Sequence, residues 1–279
     1  MYGAIIGDIA GSTLEFKRKK NYNFQIFLPG SDITDDTIMT IAVARALMQW
    51  KQEGGDLHEA MRFHMRDLGR KYPYPLGAYG GNFAGWLRSN SPLPYYSCGN
   101  GSAMRASPCG LIAKSLEETL ELAKISAEVT HDHPEGIKGA QATAVAVYLA
   151  KTQHSKQEIR DYIHENFYPM DRTLDEIRPT YKFEATCQKS VPESIIAFLE
   201  SKSYEDAIRK VISLGGDADT MGAITGSIAW TFYRFQSNDG LTEDMLELQN
   251  LANDFMPEDF IRTVDGFDRL CWDTYPDMA

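Results

Sequence analysis

Gly215-Gly216-Asp217-Ala218-Asp219-Thr220-Met221-Gly222 opens a helical pattern that runs to Phe235, and Ser31-Asp32-Ile33-Thr34-Asp35-Asp36-Thr37-Ile38-Met39 opens another about 180 positions earlier. Each stretch sets two carboxylates and a threonine hydroxyl at the start of a long apolar helix. Carboxylates are favoured there by free N–H groups and the helix dipole, so either stretch alone reads as an ordinary capped helix start. Together they ask for more. If the two starts meet, Asp35, Asp36, Asp217 and Asp219 bring a charge of −4 to one place, which two divalent cations with a preference for oxygen ligands would neutralise.

Outward from these helices the same periodicity persists. Residues 3 to 14 read as a helix with Gly3, Gly7 and Gly11 at four-residue spacing on one side, an invitation to close packing. Each glycine costs about 1 kcal/mol of helix propensity relative to alanine, so another contact must offset it. Gly222, Ala223, Gly226 and Ala229 line the helix that starts at Asp219, which makes it the natural partner. Asp8 and Glu15, seven apart, fall on a similar face two turns apart if the helix runs that far, and the plain reading of each is a solvated surface residue. Further helices are expected at Asp56 to Lys71, Ala103 to Lys114, Ser115 to Val129, Ile137 to Lys151, Val191 to Glu200 and Tyr204 to Leu214, with two more near the C-terminus. Strand-like alternation is nearly absent. The expectation is a single all-α domain over 1–279, an orthogonal helical bundle.

Two regions depart from helical periodicity. Residues 72 to 101 are rich in glycine and aromatics and read as long loops, and Gly99-Asn100-Gly101-Ser102 leads into a helix whose free N–H groups suit an anion. Residues 152 to 190 are polar and read as peripheral short helices and loops. His131 and His133 in Thr130-His131-Asp132-His133-Pro134 are read as one hydrogen-bonded side chain and one helix cap, with Pro134 in the first turn. His58 and His64 are read as surface residues.

The charge balance, 28 basic against 39 acidic residues for a net −11, argues against nucleic acid as the principal ligand. The one basic run, Lys17-Arg18-Lys19-Lys20, reads as a solvated loop, and Trp272 and Tyr275 as packing residues. Cys98, Cys109, Cys187 and Cys271 form no C-x-x-C pair and read as reduced, mostly buried thiols of a cytoplasmic protein. The apolar N-terminus is interrupted by Asp8 and lacks a charged leader, so no signal peptide is expected, and no stretch is long enough to span a membrane.

Taken in order, the glycine-rich first helix ending in Glu15, Thr34-Asp35-Asp36-Thr37, Gly99-Asn100-Gly101-Ser102-Ala103-Met104-Arg105, Thr130-His131 with His133-Pro134, and Gly216-Asp217-Ala218-Asp219-Thr220 resemble the ADP-ribosylglycohydrolase family, whose founding bacterial member reactivates nitrogenase reductase. The resemblance extends from residue 3 to about 235. It implies an all-α fold with a dinuclear Mg²⁺ or Mn²⁺ centre that hydrolyses the bond between the anomeric carbon of ADP-ribose and a modified side chain. It implies metal ligation by Thr34, Asp35 and Asp36 from one side and by Asp217, Asp219 and Thr220 from the other. Asn100, Gly101 and Ser102 would line the phosphate or distal ribose, and His131 would stand near the nucleotide. Glu15 matches an acid that touches the metal or its water; it, Asp35 or Asp36 would shuttle the proton that glycosidic hydrolysis requires. The expected partners are an ADP-ribosylated protein, arginine first among acceptors, or a small ADP-ribosyl compound, with nucleic acid only as an ADP-ribosylated acceptor. Residues 72 to 98 contain no Asp or Glu, where some arginine-specific relatives carry a further acid, so Tyr72 to Asn82 would shape the acceptor side. The contrasting expectations are an ADP-ribose-binding or immunity protein that occludes a transferase, and a hydrolase of another glycosidic or phosphate ester.

Overall fold

A carbon atom added at Gly7 would lie 2.0 Å from the Gly222 carbonyl oxygen, and one added at Gly222 would lie 2.3 Å from that of Gly7. This contact, in the computed structural model, joins α1 (Tyr2–Gly11) to α12 (Ala218–Gln236). The structure describes residues 1–15, 17, 20–236 and 240–273, without the side chains of 272 and 273. Gly3 meets Gly226 and Trp230, and Gly11 meets Ala218 and Asp219, so the two helices run antiparallel with backbones touching. The small-residue stripes thus find each other as the sequence spacing predicts. Ile5, Ile6 and Ile9 are wholly buried on the other faces of α1, each worth about 1.5–3 kcal/mol of burial, which offsets the glycines' propensity cost.

The remaining helices close around this pair: α2 (Asp35–Glu53), α3 (Leu57–Lys71), α4 (Gly81–Arg88), α5 (Ser107–Ile112), α6 (Leu116–Glu128), α7 (Pro134–Lys151), α8 (Lys156–Asn166), α9 (Leu174–Ile177), α10 (Cys187–Leu199), α11 (Tyr204–Ile212), α13 (Glu243–Asn253) and α14 (Glu258–Asp273). Among the described residues there is no strand, only isolated backbone bridges pairing Thr34 with Leu76 and Gly99 with Thr186. The all-α expectation holds.

Several boundaries differ from expectation for local reasons. The expected helix from Ala103 to Lys114 is instead a 3-10 turn at Asn100–Ser102, a turn through Arg105, and the short α5. Pro108 explains the restart, because it has no N–H to continue a helix and fits the first turn of a new one. The first helix stops at Gly11 and turns through Glu15. Loop 72–101 contains α4, which buries Phe83, Trp86 and Leu87. Residues 152–190 are less peripheral than expected: Ile159 and Ile163 of α8 are completely buried. Lys17 and Lys20 are exposed, whereas Arg18, Lys19 and Tyr275 and the side chain of Trp272 lie outside the described residues. No described helix is long and apolar enough to cross a membrane.

The α1–α12 contact yields a direct prediction. Gly7→Ala drives a methyl group into backbone that no side-chain rotation can clear, and it is expected to cost about 3 kcal/mol in urea unfolding. Gly85→Ala, in α4 with open space around it, is expected to gain about 0.5–1 kcal/mol. Equal midpoints for the two variants would contradict the packing described.

Candidate metal centre and ligand cavity

Because α1 and α12 are antiparallel, the C-terminal end of α1 lies beside the start of α12, and the start of α2 joins them through Asp8. Asp8 is fully buried and accepts from Thr34 N–H (3.0 Å), Thr37 N–H (3.0 Å), Thr34 Oγ1–H (2.7 Å) and Thr37 Oγ1–H (2.5 Å). One carboxylate on α1 therefore satisfies the free donors at the N-terminus of α2. Thr34 is itself the cap residue, its Oγ1 accepting from Asp36 N–H at 3.2 Å. Across the gap Asp217 immediately precedes α12, and Thr220 Oγ1 donates to Asp36 Oδ2 at 3.3 Å, a direct link between the two acidic stretches.

The carboxylates form two overlapping groups. Oxygens of Asp8, Asp36 and Asp219 lie within 4.8 Å of one another, as do oxygens of Glu15, Asp217 and Asp219. Asp219 belongs to both. Asp35 stands beside them, partly exposed on the cavity side. Among the described residues none of these six acids forms an ion pair with a basic side chain. Burial pushes Asp36 and Asp219 well above the usual carboxylate range, and neighbouring negative charge adds to it. Burial likewise raises Asp35. It raises Asp217 to about 6 against the hydrogen bonds of Asp219 and Asn100, and Asp8 to about 6 against those of Thr37 and Thr34. Glu15 is raised to about 8 by burial and by the charges of Asp219 and Asp8.

Such a cluster fits divalent cations. The buried Asp36 Oδ1 has no hydrogen-bond partner, and the donor set is all oxygen. A buried acceptor left open costs about 1–3 kcal/mol, and a coordinated cation removes that cost along with the mutual repulsion.

The cluster forms the floor of a cavity of about 360 Å³, within the range of small-molecule sites. One wall is the Gly77 to Phe83 segment, where Gly77 and Ala78 take left-handed conformations (φ 80° and 64°) and a carbon at Gly77 would lie 3.3 Å from Glu15 Oε2. Gly99, Asn100, Gly101 and His131 form another part of the lining. Asn100 Nδ2 donates to Asp217 Oδ2 at 2.8 Å, tying this loop to the second acidic stretch. Ser102, expected at the ligand, is instead buried beneath the loop with its Oγ–H on the Gly136 carbonyl at 2.7 Å. Thr34 likewise sits below the floor rather than on the cavity surface, whereas Thr220 reaches it. His131 is nine-tenths buried and lowered well below the usual imidazole range by burial and by the Arg105 charge. His133 caps α7 through Nδ1, which accepts from Glu135 N–H at 3.0 Å.

Residue reading alone left Asp8 open, covered Tyr79 only as part of the 72–82 stretch, and assigned no role to Tyr95, Phe183 or Arg105; all of these except Asp8 line the cavity. A carboxylate set in the apolar, glycine-lined Ala4–Gly11 run was the available signal for Asp8. The wall residues sit in irregular backbone, where spacing says nothing about direction.

The comparisons agree with this architecture. The ADP-ribosylglycohydrolase family model matches residues 1–261. The chain is 23% identical to the ADP-ribosylarginine hydrolase Tri1 of Pseudomonas putida, over 84% of this chain and 69% of that protein. It is 26% identical to the ADP-ribosylhydrolase ARH3 of Homo sapiens, over 83% of each. It is 23% identical to the ADP-ribosyl-[dinitrogen reductase] glycohydrolase of Rhodospirillum rubrum, again over 83% of each. Its fold matches a solved structure titled ADP-ribosylglycohydrolase-related protein complex with a TM-score of 0.70 at 19% identity, covering 99% of this chain and 95% of the other. With a family match that spans the glycine-packed helices, both acidic stretches and the loops between them, the chain belongs to the ADP-ribosylglycohydrolase family.

Proposed function

We propose that this chain hydrolyses the glycosidic bond between ADP-ribose and a modified acceptor, with arginine the first acceptor to test, using two Mg²⁺ ions for which Mn²⁺ can substitute. The observation that carries the reading is the pair of carboxylate groups sharing Asp219 on the floor of the cavity. Asp35, Asp36, Asp217, Asp219 and Thr220, with Thr34 behind them, would hold the cations. Bound there, divalent ions supply charge neutralisation, a grip on sugar hydroxyls and a lowered pKa of bound water.

The protein's own groups account for the rest. Asp8 and Asn100 orient the two acidic stretches from behind. Glu15, carried on a turn and partly exposed, faces both the carboxylate cluster and the Gly77 wall, so we assign it the proton shuttle between the attacking water and the leaving group. In the reaction water oxygen bonds to the anomeric carbon, the bond to the acceptor breaks, and the acceptor atom leaves with a proton. The Gly99–Gly101 wall would hold the diphosphate side. The acid-free segment 72–98 faces the acceptor, and four free cysteines fit a reducing compartment, for which we take the cytoplasm.

Asp36→Asn and Asp219→Asn are each expected to lower ADP-ribose release by on the order of 10²–10³-fold, as is EDTA. Release is read by chromatography with ADP-ribosyl-arginine, ADP-ribosyl-serine and ADP-ribosylated DNA offered in parallel. Undiminished turnover in EDTA would defeat the proposal. Thermal unfolding provides an independent check: saturating Mg²⁺ should stabilise the wild type by about 2.7 kcal/mol at 100 times its Kd and leave Asp219→Asn unmoved. In EDTA the order should reverse. Removing one of several crowded anions is expected to make apo Asp219→Asn more stable than the apo wild type, by on the order of 1 kcal/mol.

A further inference from the structure

Arg105 is 1% exposed and has no carboxylate partner within ion-pair distance among the described residues, an expensive arrangement for a guanidinium. Its Nη2 donates to the Ser126 carbonyl at 2.9 Å and to Thr130 Oγ1 at 2.8 Å. Thr130 Oγ1 in turn lies 2.7 Å from His131 Nδ1. The threonine hydroxyl has a single hydrogen to give. The oxygen has two lone pairs, one of them taken by the guanidinium N–H, and a second N–H from the imidazole would leave the hydroxyl hydrogen to find another acceptor. Donation of the hydroxyl hydrogen to Nδ1 satisfies both atoms instead. Nδ1 is then the acceptor, and the ring hydrogen resides on Nε2.

Nε2 is the atom that faces the ligand loop. It lies 3.2 Å from where a carbon on Gly101 would stand and 3.5 Å from the corresponding position at Gly99, and it has no hydrogen-bond partner among the described residues. Tyr95 packs its ring against the imidazole at 5.5 Å between centroids. Charge also matters here. An imidazolium on this wall would be drawn toward the carboxylates on the floor, whereas a neutral ring can offer an N–H without competing for them.

We propose that Arg105 and Thr130 are positioning residues which fix His131 as its Nε2–H tautomer, a neutral, pre-aimed donor for a phosphate or hydroxyl oxygen lodged beside Gly99-Asn100-Gly101. The identity of that oxygen rests on the ADP-ribose reading; the tautomer does not. The rival arrangement has Thr130 give its hydrogen to the neighbouring Tyr95 hydroxyl while Nδ1 carries the ring hydrogen.

Long-range ¹H–¹⁵N correlation on histidine-labelled protein without nucleotide separates the two, with the His131 signals assigned against His131→Gln. The wild type and Thr130→Ser are expected to show the Nε2–H pattern, and Thr130→Val a mixture or the Nδ1–H form. In calorimetric titration with ADP-ribose, Thr130→Val should weaken binding about 10-fold and Thr130→Ser by no more than about 2-fold. An Nδ1–H wild type, or a Thr130→Val variant that folds and keeps the wild-type pattern, would overturn the relay. Should Thr130→Val fail to fold, the wild-type and Thr130→Ser spectra decide alone. An Nε2–H wild type that does not bind ADP-ribose would uphold the relay and reject the ligand reading.

Discussion

The absence of side chains where α1 meets α12 is the constraint from which the remaining architecture follows. Gly3, Gly7 and Gly11 let two helical backbones touch, and touching backbones leave little freedom in how far the helix ends can separate. Glu15, Asp8 and Asp219 are all set by that one contact. Had either helix carried leucine at these positions, the axes would stand several ångströms further apart, at roughly the 8–10 Å spacing of side-chain-mediated packing. Carboxylate oxygens held within 4.8 Å of one another need this closer frame.

Asp8 connects this frame to the second requirement, a fixed direction for α2. Its four hydrogen bonds reach two backbone amides and two hydroxyls, so it anchors both position and rotation of the helix start. The aspartates that follow are thereby aimed at α12. The arrangement places considerable like charge in a buried space, and the raised proton affinities of Asp36 and Asp219 reflect that tension. Local structure here is shaped against the stability of the ion-free protein, a pattern that fits a site rather than a core.

Much of this was legible in the residue pattern. The helical class followed from three- and four-residue apolar spacing, and the α1–α12 pairing from glycines whose cost required a partner. The likeness of the two acidic stretches was visible too, since a helix start fixes the direction of its first side chains. What escaped was carried by irregular backbone and by three-dimensional neighbours. Pro108 divided an expected helix, α4 lay hidden within a glycine-rich loop, and Ser102 turned its hydroxyl to Gly136 rather than to the cavity. Arg105 fell inside a quoted motif, yet its burial and its Nη2 contacts with Ser126 and Thr130, which distinguish it from a surface arginine, are visible only in three dimensions. Periodicity reports which face of an element is apolar; it is silent about which loop atoms converge.

The separation of the two acidic stretches also bears on how the protein assembles. Asp36 and Asp219 are about 180 residues apart along the chain and are neighbours in the fold in which α1 packs against α12. Closing so long a loop is slow and entropically opposed, and no fragment of the chain holds either carboxylate group whole. A cation therefore has nothing to grip in the early stages of folding. Bound at the carboxylate cluster, it would act as a latch on the finished molecule, holding together the first and last thirds of the chain.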